Sequence, residues 1–285
     1  MKLVSFTCRN EERDSFGIVV GNGVVDVGRR LAGKYPDLKA VLENDAISEL
    51  EALATLDPDF QIQDIDFLPV INNPSRIFGV AMNYAEKGQE PKAFYDVPAL
   101  FIRLPESQTG HQTPLLKPSL SSEFDYEGEL AVIIGKPGRQ IAKDQAMAHV
   151  AGYSAYMDGS VRDWQHTLFT AGKNWPRTGA FGPWLVTSDE LPDPHALAIK
   201  TRLNGIVVQD DTTGSMLRTI PDLISYISLF SDLSAGDVII SGTPSGIGKK
   251  RMPPLFMFDG DTIEVEIEGV GILRNTVKDD ALACP

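Results

Sequence analysis

The sequence predicts a β-rich α+β fold built on a mixed β-sheet or barrel-like core. Short apolar runs recur along most of the chain, whereas segments with helical periodicity are few. Asn22-Gly23 and Asn204-Gly205 separate pairs of apolar runs, and such dipeptides suit the two positive-φ positions of a tight hairpin. The regular alternation of strands and helices that marks a doubly wound sheet is not seen, so we expect strands to carry the core.

Residues 1–70 are predicted to form a small N-terminal domain of strands and a helix. The run FGIVVGNGVVDV at 16–27 predicts a hairpin that turns at Asn22-Gly23. Leucines and a valine at near-helical spacing predict a helix over 37–55. The polar segment PVINNPS at 69–75 contains two prolines and marks the boundary with a second domain, residues 71–285.

The second domain is predicted to be rich in strands, with two helices. A short helix is expected at 143–150, and a longer one at 219–230, where Pro221 falls in the favoured first turn. The strands are expected at 76–82, 99–103, 126–135, 181–187, 199–204, 237–241 and 262–268.

Length and composition indicate an ordinary globular protein. With 285 residues, 42% of them hydrophobic and 23% charged, the chain is long enough to bury a substantial core. No apolar run approaches the roughly 20 residues that span a bilayer, and the N-terminus lacks the apolar core of a signal peptide. Cys8 and Cys284 lie near opposite ends and form neither a disulfide framework nor a zinc pattern. We therefore expect a cytoplasmic protein without a membrane partner.

The charge balance excludes one class of partner and raises a question about another. Lys and Arg number 26 against 39 Asp and Glu, a net charge of −13, whereas a nucleic-acid surface needs a basic stripe. We expect no nucleic-acid partner. The excess of carboxylates raises the question of whether some of them hold a cation.

Two closely spaced glutamates enter the most apolar strand. In the segment FDYEGELAVIIG, residues 124–135, Glu127 and Glu129 share one face, and both faces become apolar further along. The pattern predicts a strand buried on both sides, where adjacent carboxylates repel each other and lose hydration. A hard divalent cation such as Mg²⁺ resolves this conflict. The alternative is that the strand end emerges into solvent.

A third oxygen ligand is expected from the segment YMDGSVRD at 156–163. Asp158 ends the apolar run VAGYSAYM, and Arg162 and Asp163 follow at a spacing that allows one to orient or neutralise the other. An Asp-Gly pair is also typical of a plain turn, which is the alternative.

Four segments, taken in order, resemble the fumarylacetoacetate hydrolase family: FDYEGELAVIIGK, YMDGSVRDWQ, GDVIISGTPSGIG and GDTIEVEIEGVGILRNTV. The resemblance covers about residues 70–280 and implies a β-roll catalytic domain that holds Mg²⁺, with Mn²⁺ or Ca²⁺ as alternatives. It implies that Glu127, Glu129 and Asp158 are the metal ligands. Family members act on 2-oxo and β-diketo acids, which suits a metal able to stabilise an enolate.

The resemblance also implies residues that bind substrate or take part in the reaction. It assigns Lys173 to the substrate oxyanion, and Thr243 with Gly242, in the glycine-rich SGTPSGIG, to the substrate carboxylate. Tyr84 and Arg162 are assigned to substrate binding. Without the resemblance, the sequence would indicate a solvated loop lysine at Lys173 and a structural turn at SGTPSGIG.

One position departs from the family pattern. Hydrolytic members carry Asn-Tyr-x-x-His-x-x-Glu, and this chain reads NYAEKGQE at 83–90, with Lys87 where the histidine stands. Lysine is a poor base near pH 7, the more so beside a carboxylate. Glu90 as the base, a Lys87 that binds a second substrate carboxylate, and His111 as a substitute for the histidine are the alternatives.

We therefore predict an Mg²⁺-dependent hydrolase that cleaves a C–C bond in a β-diketo or 2-oxo acid. The alternatives are a 2-oxo acid decarboxylase, a keto–enol isomerase of the same family, and a catalytically silent protein that binds such a metabolite. The partner is a small anionic acid, and the resemblance implies a homodimer.

Overall fold

The computed structural model describes residues 1–9, 11–31, 33–85 and 96–281. Within these ranges the chain forms many strands and few helices. The strands are β1 Lys2–Cys8, β2 Arg13–Val20, β3 Gly23–Asp26, β4 Phe60–Gln61, β5 Ile65–Phe67, β6 Ile77–Ala81, β7 Ala99–Arg103, β8 Gln108–Thr109, β9 Leu115–Lys117, β10 Phe124–Asp125, β11 Gly128–Ile134, β12 Val150–Met157, β13 Ser160–Val161, β14 Gly179–Thr187, β15 Ala198–Leu203, β16 Ile206–Thr212, β17 Val238–Ile240, β18 Thr262–Ile267 and β19 Gly271–Asp279. The α-helices are α1 Val27–Arg30, α2 Leu38–Glu43, α3 Thr170–Lys173 and α4 Ile220–Phe230.

Two open sheets carry the fold. The larger runs β4-β3-β2-β1-β14-β12-β11-β17-β6-β7, with β5 beside β1 and β8 beside β14. The smaller runs β16-β15-β18-β19-β9, and β10 pairs with β13. Parallel and antiparallel neighbours occur together, which confirms the predicted mixed, β-rich fold. In the part of the chain that the structure describes, neither sheet closes into a barrel.

The central strand β11 is buried along its whole length, as the sequence predicts. Leu130, Val132 and Ile134 join one hydrophobic cluster, and Ala131 and Ile133 join another on the opposite face. Apolar side chains on both faces explain why alternation is lost in this run. The carboxylate of Glu129 therefore enters a strand that is buried on both faces. This unfavourable burial of charge is what led us to predict a metal site.

The N-terminal strands continue the larger sheet. β1 pairs antiparallel with β14, placing Lys2 opposite Val186 and Leu3 opposite Leu185. A separate N-terminal domain over residues 1–70 stays a prediction, since no observation tests that division.

The predicted hairpins form, with one shift in register. Asn204 and Gly205 both have positive φ, 52° and 79°, between Leu203 and Ile206, as a two-residue turn requires. In the N-terminal hairpin Val20 pairs with Gly23, so the turn falls on residues 21–22 instead of the predicted 22–23. Gly21, and not Gly23, has the positive φ, 57°, that the turn requires.

The single helix predicted over 37–55 is wrong, because the segment forms two separate helices. α2 ends at Glu43, Asp45 has a positive φ of 50°, and a 3₁₀ helix follows at Ile47–Thr55. Asn and Asp tolerate the left-handed conformation that ends a helix. The apolar residues at helical spacing therefore belong to two helices, one on each side of Asp45. The short helix expected at 143–150 is likewise a 3₁₀ helix, Lys143–His149.

The helix predicted at 219–230 is confirmed as α4. At its start the side chain of Thr219 accepts from the N–H of Asp222, and the side chain of Asp222 accepts from the N–H of Thr219. Pro221 lies in the first turn. All seven strands predicted for the second domain are present. Among the described residues no helix is long and apolar enough to cross a membrane. Lys87, Glu90 and Cys284 lie outside the described residues.

Candidate active site

A cavity of about 460 Å³ opens where β6 and β12 end and β11 begins. One wall carries the acidic residues singled out in the sequence, and another is apolar. Within the described ranges its lining consists of Val80, Ala81, Met82, Tyr84, Phe101, Glu127, Glu129, Asp158, Arg162, Phe169, Lys173, Leu217, Thr243, Pro244, Ser245, Ile247 and Lys250. A volume of this size is ordinary for a small-molecule site.

Glu127, Glu129 and Asp158 come together at the junction of two antiparallel strands. Glu127 precedes β11, Glu129 lies in it, and Asp158 follows β12, whose residue Tyr156 pairs with Glu129. The N–H of Asp158 donates to the carbonyl oxygen of Glu127 over 2.8 Å. One carboxylate oxygen from each acid lies within 4.8 Å of the others, and all three side chains are buried. We name this set the acidic triad.

Cationic side chains contact two members of the acidic triad. Lys173, at the end of α3, donates from Nζ to Glu127 Oε2 and to Asp158 Oδ2. Arg162 donates from Nη2 to Glu127 Oε1 over 2.7 Å and from Nε to Asp125 Oδ2 over 2.8 Å. Although burial acts in the opposite direction, Arg162 and Lys173 lower the pKa of Glu127 to about 2.

Glu129 has a different environment. Within the described part of the chain its carboxylate has no ion pair and accepts a hydrogen bond from the N–H of Gly242, 2.7 Å away. Burial, followed by repulsion from Asp158 and Glu127, raises the pKa of Glu129 well above its usual value. Lys173 acts in the opposite direction but does not contact this carboxylate.

The donor set therefore fits a hard divalent cation. The acidic triad offers three carboxylate oxygens, the ligand type that Mg²⁺, Mn²⁺ and Ca²⁺ prefer, and it offers neither sulfur nor imidazole. A divalent cation there would also relieve the repulsion at Glu129. Glu127, Glu129 and Asp158 are the residues that would hold it.

A glycine-rich loop lines the cavity beside the acidic triad, and Gln209 of β16 supports this loop. Thr243 donates from Oγ1 to the carbonyl oxygen of Gly128 over 2.9 Å and accepts from Gln209 Nε2 over 2.8 Å. Gly242 has a φ of 97°, and a Cβ there would lie 2.9 Å from the carbonyl oxygen of Val80. The loop therefore needs glycine for its backbone conformation and for close packing.

Tyr84 lines the cavity and carries a buried hydroxyl without a partner in the described part of the chain. Its side chain lines the cavity and is 8% exposed, yet its Oη has no hydrogen-bond partner among the described residues. Burial and the charge of Glu129 raise the pKa of Tyr84, which keeps its hydroxyl protonated. A buried hydroxyl without a partner is costly and is suited to a ligand oxygen.

His111 lies elsewhere. Its Nδ1 accepts from the N–H of Arg274 over 3.0 Å, and its ring packs edge-to-face on Phe67 with centroids 4.7 Å apart. Burial, together with the charge of Arg274, lowers the pKa of His111 to about 4. The structure does not bring His111 to the cavity lining, so its predicted catalytic role gains no support. Lys87 and Glu90 cannot be placed, because they lie outside the described residues.

Sequence reasoning missed Arg103. This side chain, at the end of β7, is completely buried and donates from Nη1 to Asp158 Oδ1. The only sequence signal is one arginine closing the apolar run ALFIR, a pattern that equally suits a side chain reaching solvent. Gln209, which orients Thr243, was missed for the same reason.

Comparison with known proteins gives a consistent result. Residues 76–278 match the family model described as fumarylacetoacetate (FAA) hydrolase C-terminal. An oxaloacetate tautomerase of Rattus norvegicus, Fahd2a, described as mitochondrial, is 36% identical over 289 residues, which cover 97% of this chain and 91% of the relative.

Solved structures show the same fold. A fumarylacetoacetate hydrolase from the psychrophile Exiguobacterium antarcticum superposes with a TM-score of 0.85 at 32% identity, over 98% of this chain and 100% of the other. A maleylpyruvate hydrolase from Sphingobium sp. SYK-6, in complex with manganese(II) ion and pyruvate, superposes with a TM-score of 0.82 at 26% identity, over 98% of this chain and 99% of the other.

Proposed function

Because the chain belongs to the fumarylacetoacetate hydrolase family, we propose that it is a metal-dependent keto–enol tautomerase of a small 2-oxo dicarboxylic acid such as oxaloacetate. One observation favours tautomerisation over hydrolysis. The acidic triad and Lys173 line the same cavity, and none of the chain's four histidines lines its described part. Moving a proton between carbon and oxygen needs an enolate to be stabilised but needs no activated water.

The acidic triad would hold Mg²⁺, with Mn²⁺ as the alternative that the Sphingobium relative contains. When bound, a divalent cation polarises a 2-oxo group and lowers the cost of the enolate. The resident residues then bind and orient the acid. Our proposal assigns the remaining work to Lys173, Tyr84 and Thr243.

Lys173 is suited to stabilise the developing oxyanion. Its ammonium is buried, lies 4.9 Å from the ring centroid of Phe101, and uses two of its three N–H donors on Glu127 and Asp158. The third donor is available to a substrate oxygen. In a water-poor pocket such a charge has a strong effect on an enolate.

Our proposal assigns Tyr84 to direct binding of the acid and Thr243 to positioning of the loop beside it. The hydroxyl of Tyr84 is protonated and unpartnered, so it donates to a substrate oxygen. The hydroxyl of Thr243 donates to Gly128 and accepts from Gln209, so Thr243 acts by holding the glycine-rich loop in place. Glu90 remains our predicted proton acceptor, and Lys87 our predicted contact to a second carboxylate.

Hydrolysis of an acylpyruvate-like acid is the second candidate. The apolar wall of the cavity, which includes Phe101, Phe169 and Ile247, favours it because a four-carbon dicarboxylate does not need such a surface. The maleylpyruvate hydrolase relative is consistent with this alternative. A homodimer and a cytoplasmic location stay predictions from the sequence.

Parallel assays on one preparation separate these functions. We expect Mg²⁺-dependent acceleration of the enol-to-keto conversion of oxaloacetate, followed by ultraviolet absorbance, and slower cleavage of an acylpyruvate. Efficient acylpyruvate cleavage without tautomerisation would replace the first candidate with the second. Turnover of neither acid, with oxalate still bound in calorimetry, would instead support a metabolite-binding protein.

A further inference from the structure

Arg103 is held in one orientation by a complete set of hydrogen bonds. Its guanidinium has five N–H donors, and each has an acceptor. Nε donates to Ser107 Oγ over 3.2 Å, and Nη1 donates to Asp158 Oδ1 and to the carbonyl oxygen of Gly159, 3.1 Å away. Nη2 donates to the carbonyl oxygen of Ser107 over 3.3 Å and to Thr178 Oγ1 over 3.0 Å. A planar group fixed at every donor is a rigid anchor.

This anchor acts on one oxygen of Asp158. Arg103 occupies Oδ1, while Oδ2 faces Lys173 and, with it, the acidic triad. Backbone pairing fixes the main chain of Asp158 just after β12 but does not fix the rotation of its carboxylate. The guanidinium supplies that constraint and determines which oxygen is presented to the cavity.

Gly179 leaves the space that the guanidinium fills. It is the first residue of β14, and a Cβ there would lie 2.9 Å from Arg103 Nη2 and 2.5 Å from Gln108 Oε1. The backbone of Gly179 is extended and accepts any residue. Glycine is therefore needed here because the side chains of Gln108 and Arg103 both approach its Cα closely.

We infer that Arg103 and Gly179 are a positioning pair that sets the affinity of the acidic triad for its metal, Arg103 by orienting Asp158 and Gly179 by leaving room for the guanidinium. The inference rests on the proposed metal site and adds two determinants outside the ligand set. Arg103 does not line the described cavity, so it acts through Asp158. Lysine at this position would keep the charge but present one nitrogen in place of a three-nitrogen fork.

The test measures Mn²⁺ binding by calorimetry, without substrate. We expect R103K and G179A each to weaken Mn²⁺ binding by about tenfold or more, the usual effect of removing a group that orients a ligand. The double variant should lose less than the product of the two effects, because both act through one contact. L50A, which shortens a fully buried leucine of the N-terminal region, is the control for lost stability and should bind Mn²⁺ as the wild type does.

The outcomes separate this inference from the proposed function. Wild-type Mn²⁺ affinity in folded R103K and G179A would overturn the positioning pair and leave the metal site intact. Equal weakening in L50A would also overturn it, since the effect would then follow stability. No Mn²⁺ binding by the wild type would overturn both proposals. If R103K fails to fold, G179A carries the test, because it keeps Arg103 and adds only one methyl group beside the guanidinium.

Discussion

The carboxylate of Glu129 accepts its hydrogen bond from the backbone N–H of Gly242, 2.7 Å away, whereas neighbouring Glu127 contacts two cationic side chains. The two acids thus differ in electrostatic environment although one residue separates them. Burial and repulsion raise the pKa of Glu129, while Arg162 and Lys173 lower that of Glu127 to about 2. A bound cation would offset the unfavourable charge of Glu129, whereas Arg162 and Lys173 already neutralise Glu127.

The loop position of Gly242 can be tested with G242A. Its φ of 97° and the nearby Val80 carbonyl disfavour any Cβ, so we expect a loss of more than about 1–2 kcal/mol in unfolding free energy, together with reduced activity as the N–H leaves Glu129. Urea denaturation and the tautomerase assay measure both effects. G205A is the control, since Gly205 has a φ of 79° but open space around it. Full activity in G242A would disprove the role of this N–H.

Lys173 should affect turnover without supporting metal binding. We expect K173Q to lower kcat by about 10²-fold, because it removes a positive charge beside the developing oxyanion. Mn²⁺ affinity should stay the same or increase, because the variant removes a cation in contact with Glu127 and Asp158. K143Q, at an exposed lysine paired with Asp222, serves as the control. Loss of metal binding in K173Q would show that the lysine is structural.

The unpartnered hydroxyl of Tyr84 should matter to the substrate and not to the fold. We expect Y84F to raise KM roughly tenfold, while the unfolding free energy stays unchanged or rises by about 1 kcal/mol, since a buried unsatisfied group is removed. The matched variant Y156F removes a buried hydroxyl that donates to Gln108 and should lose about 1 kcal/mol. An unchanged KM in Y84F would exclude the proposed contact.

His111 should make stability depend on pH. Folding lowers its pKa to about 4, from an ordinary value near 6.5, because burial disfavours its charged form. The unfolded chain therefore binds the proton more tightly, so the contribution of His111 is complete above about pH 6.5 and is lost as the pH falls toward 4.

Comparison with H111F isolates this contribution. Between pH 7 and pH 5 the wild type should lose about 2 kcal/mol more unfolding free energy than H111F, which has no titrating ring. Urea denaturation at both pH values measures the difference. Parallel pH profiles would show that the ring does not titrate in this window.

The residue order drew attention to the acids of the triad, and the family resemblance then assigned all three as ligands. Glu127 and Glu129 flank a glycine at the entry of an apolar strand, and Asp158 ends another, so the conflict between burial and charge is visible in the residue order. The pairing of β11 with β12, which brings these positions together, is a long-range contact that spacing alone does not determine.

The supporting residues were not predictable in the same way. Arg103 is separated from Asp158 by 55 positions, and nothing in the run ALFIR distinguishes a buried arginine from an exposed one. The helix expected over 37–55 failed for a local reason, because Asp45 adopts a positive φ that interrupts an otherwise continuous apolar spacing. Burial of polar side chains depends on tertiary packing and becomes visible only in the fold.

Metal binding by the acidic triad is the central claim, and calorimetry of E129Q with Mn²⁺ tests it most directly. This substitution keeps the size of the side chain and removes the carboxylate that lacks a cationic partner in the described structure. We predict one Mn²⁺ site per chain in the wild type and no measurable site in E129Q, with E266Q, at a partly exposed glutamate paired with Arg202, binding as the wild type does. Undiminished Mn²⁺ affinity in E129Q would contradict the claim.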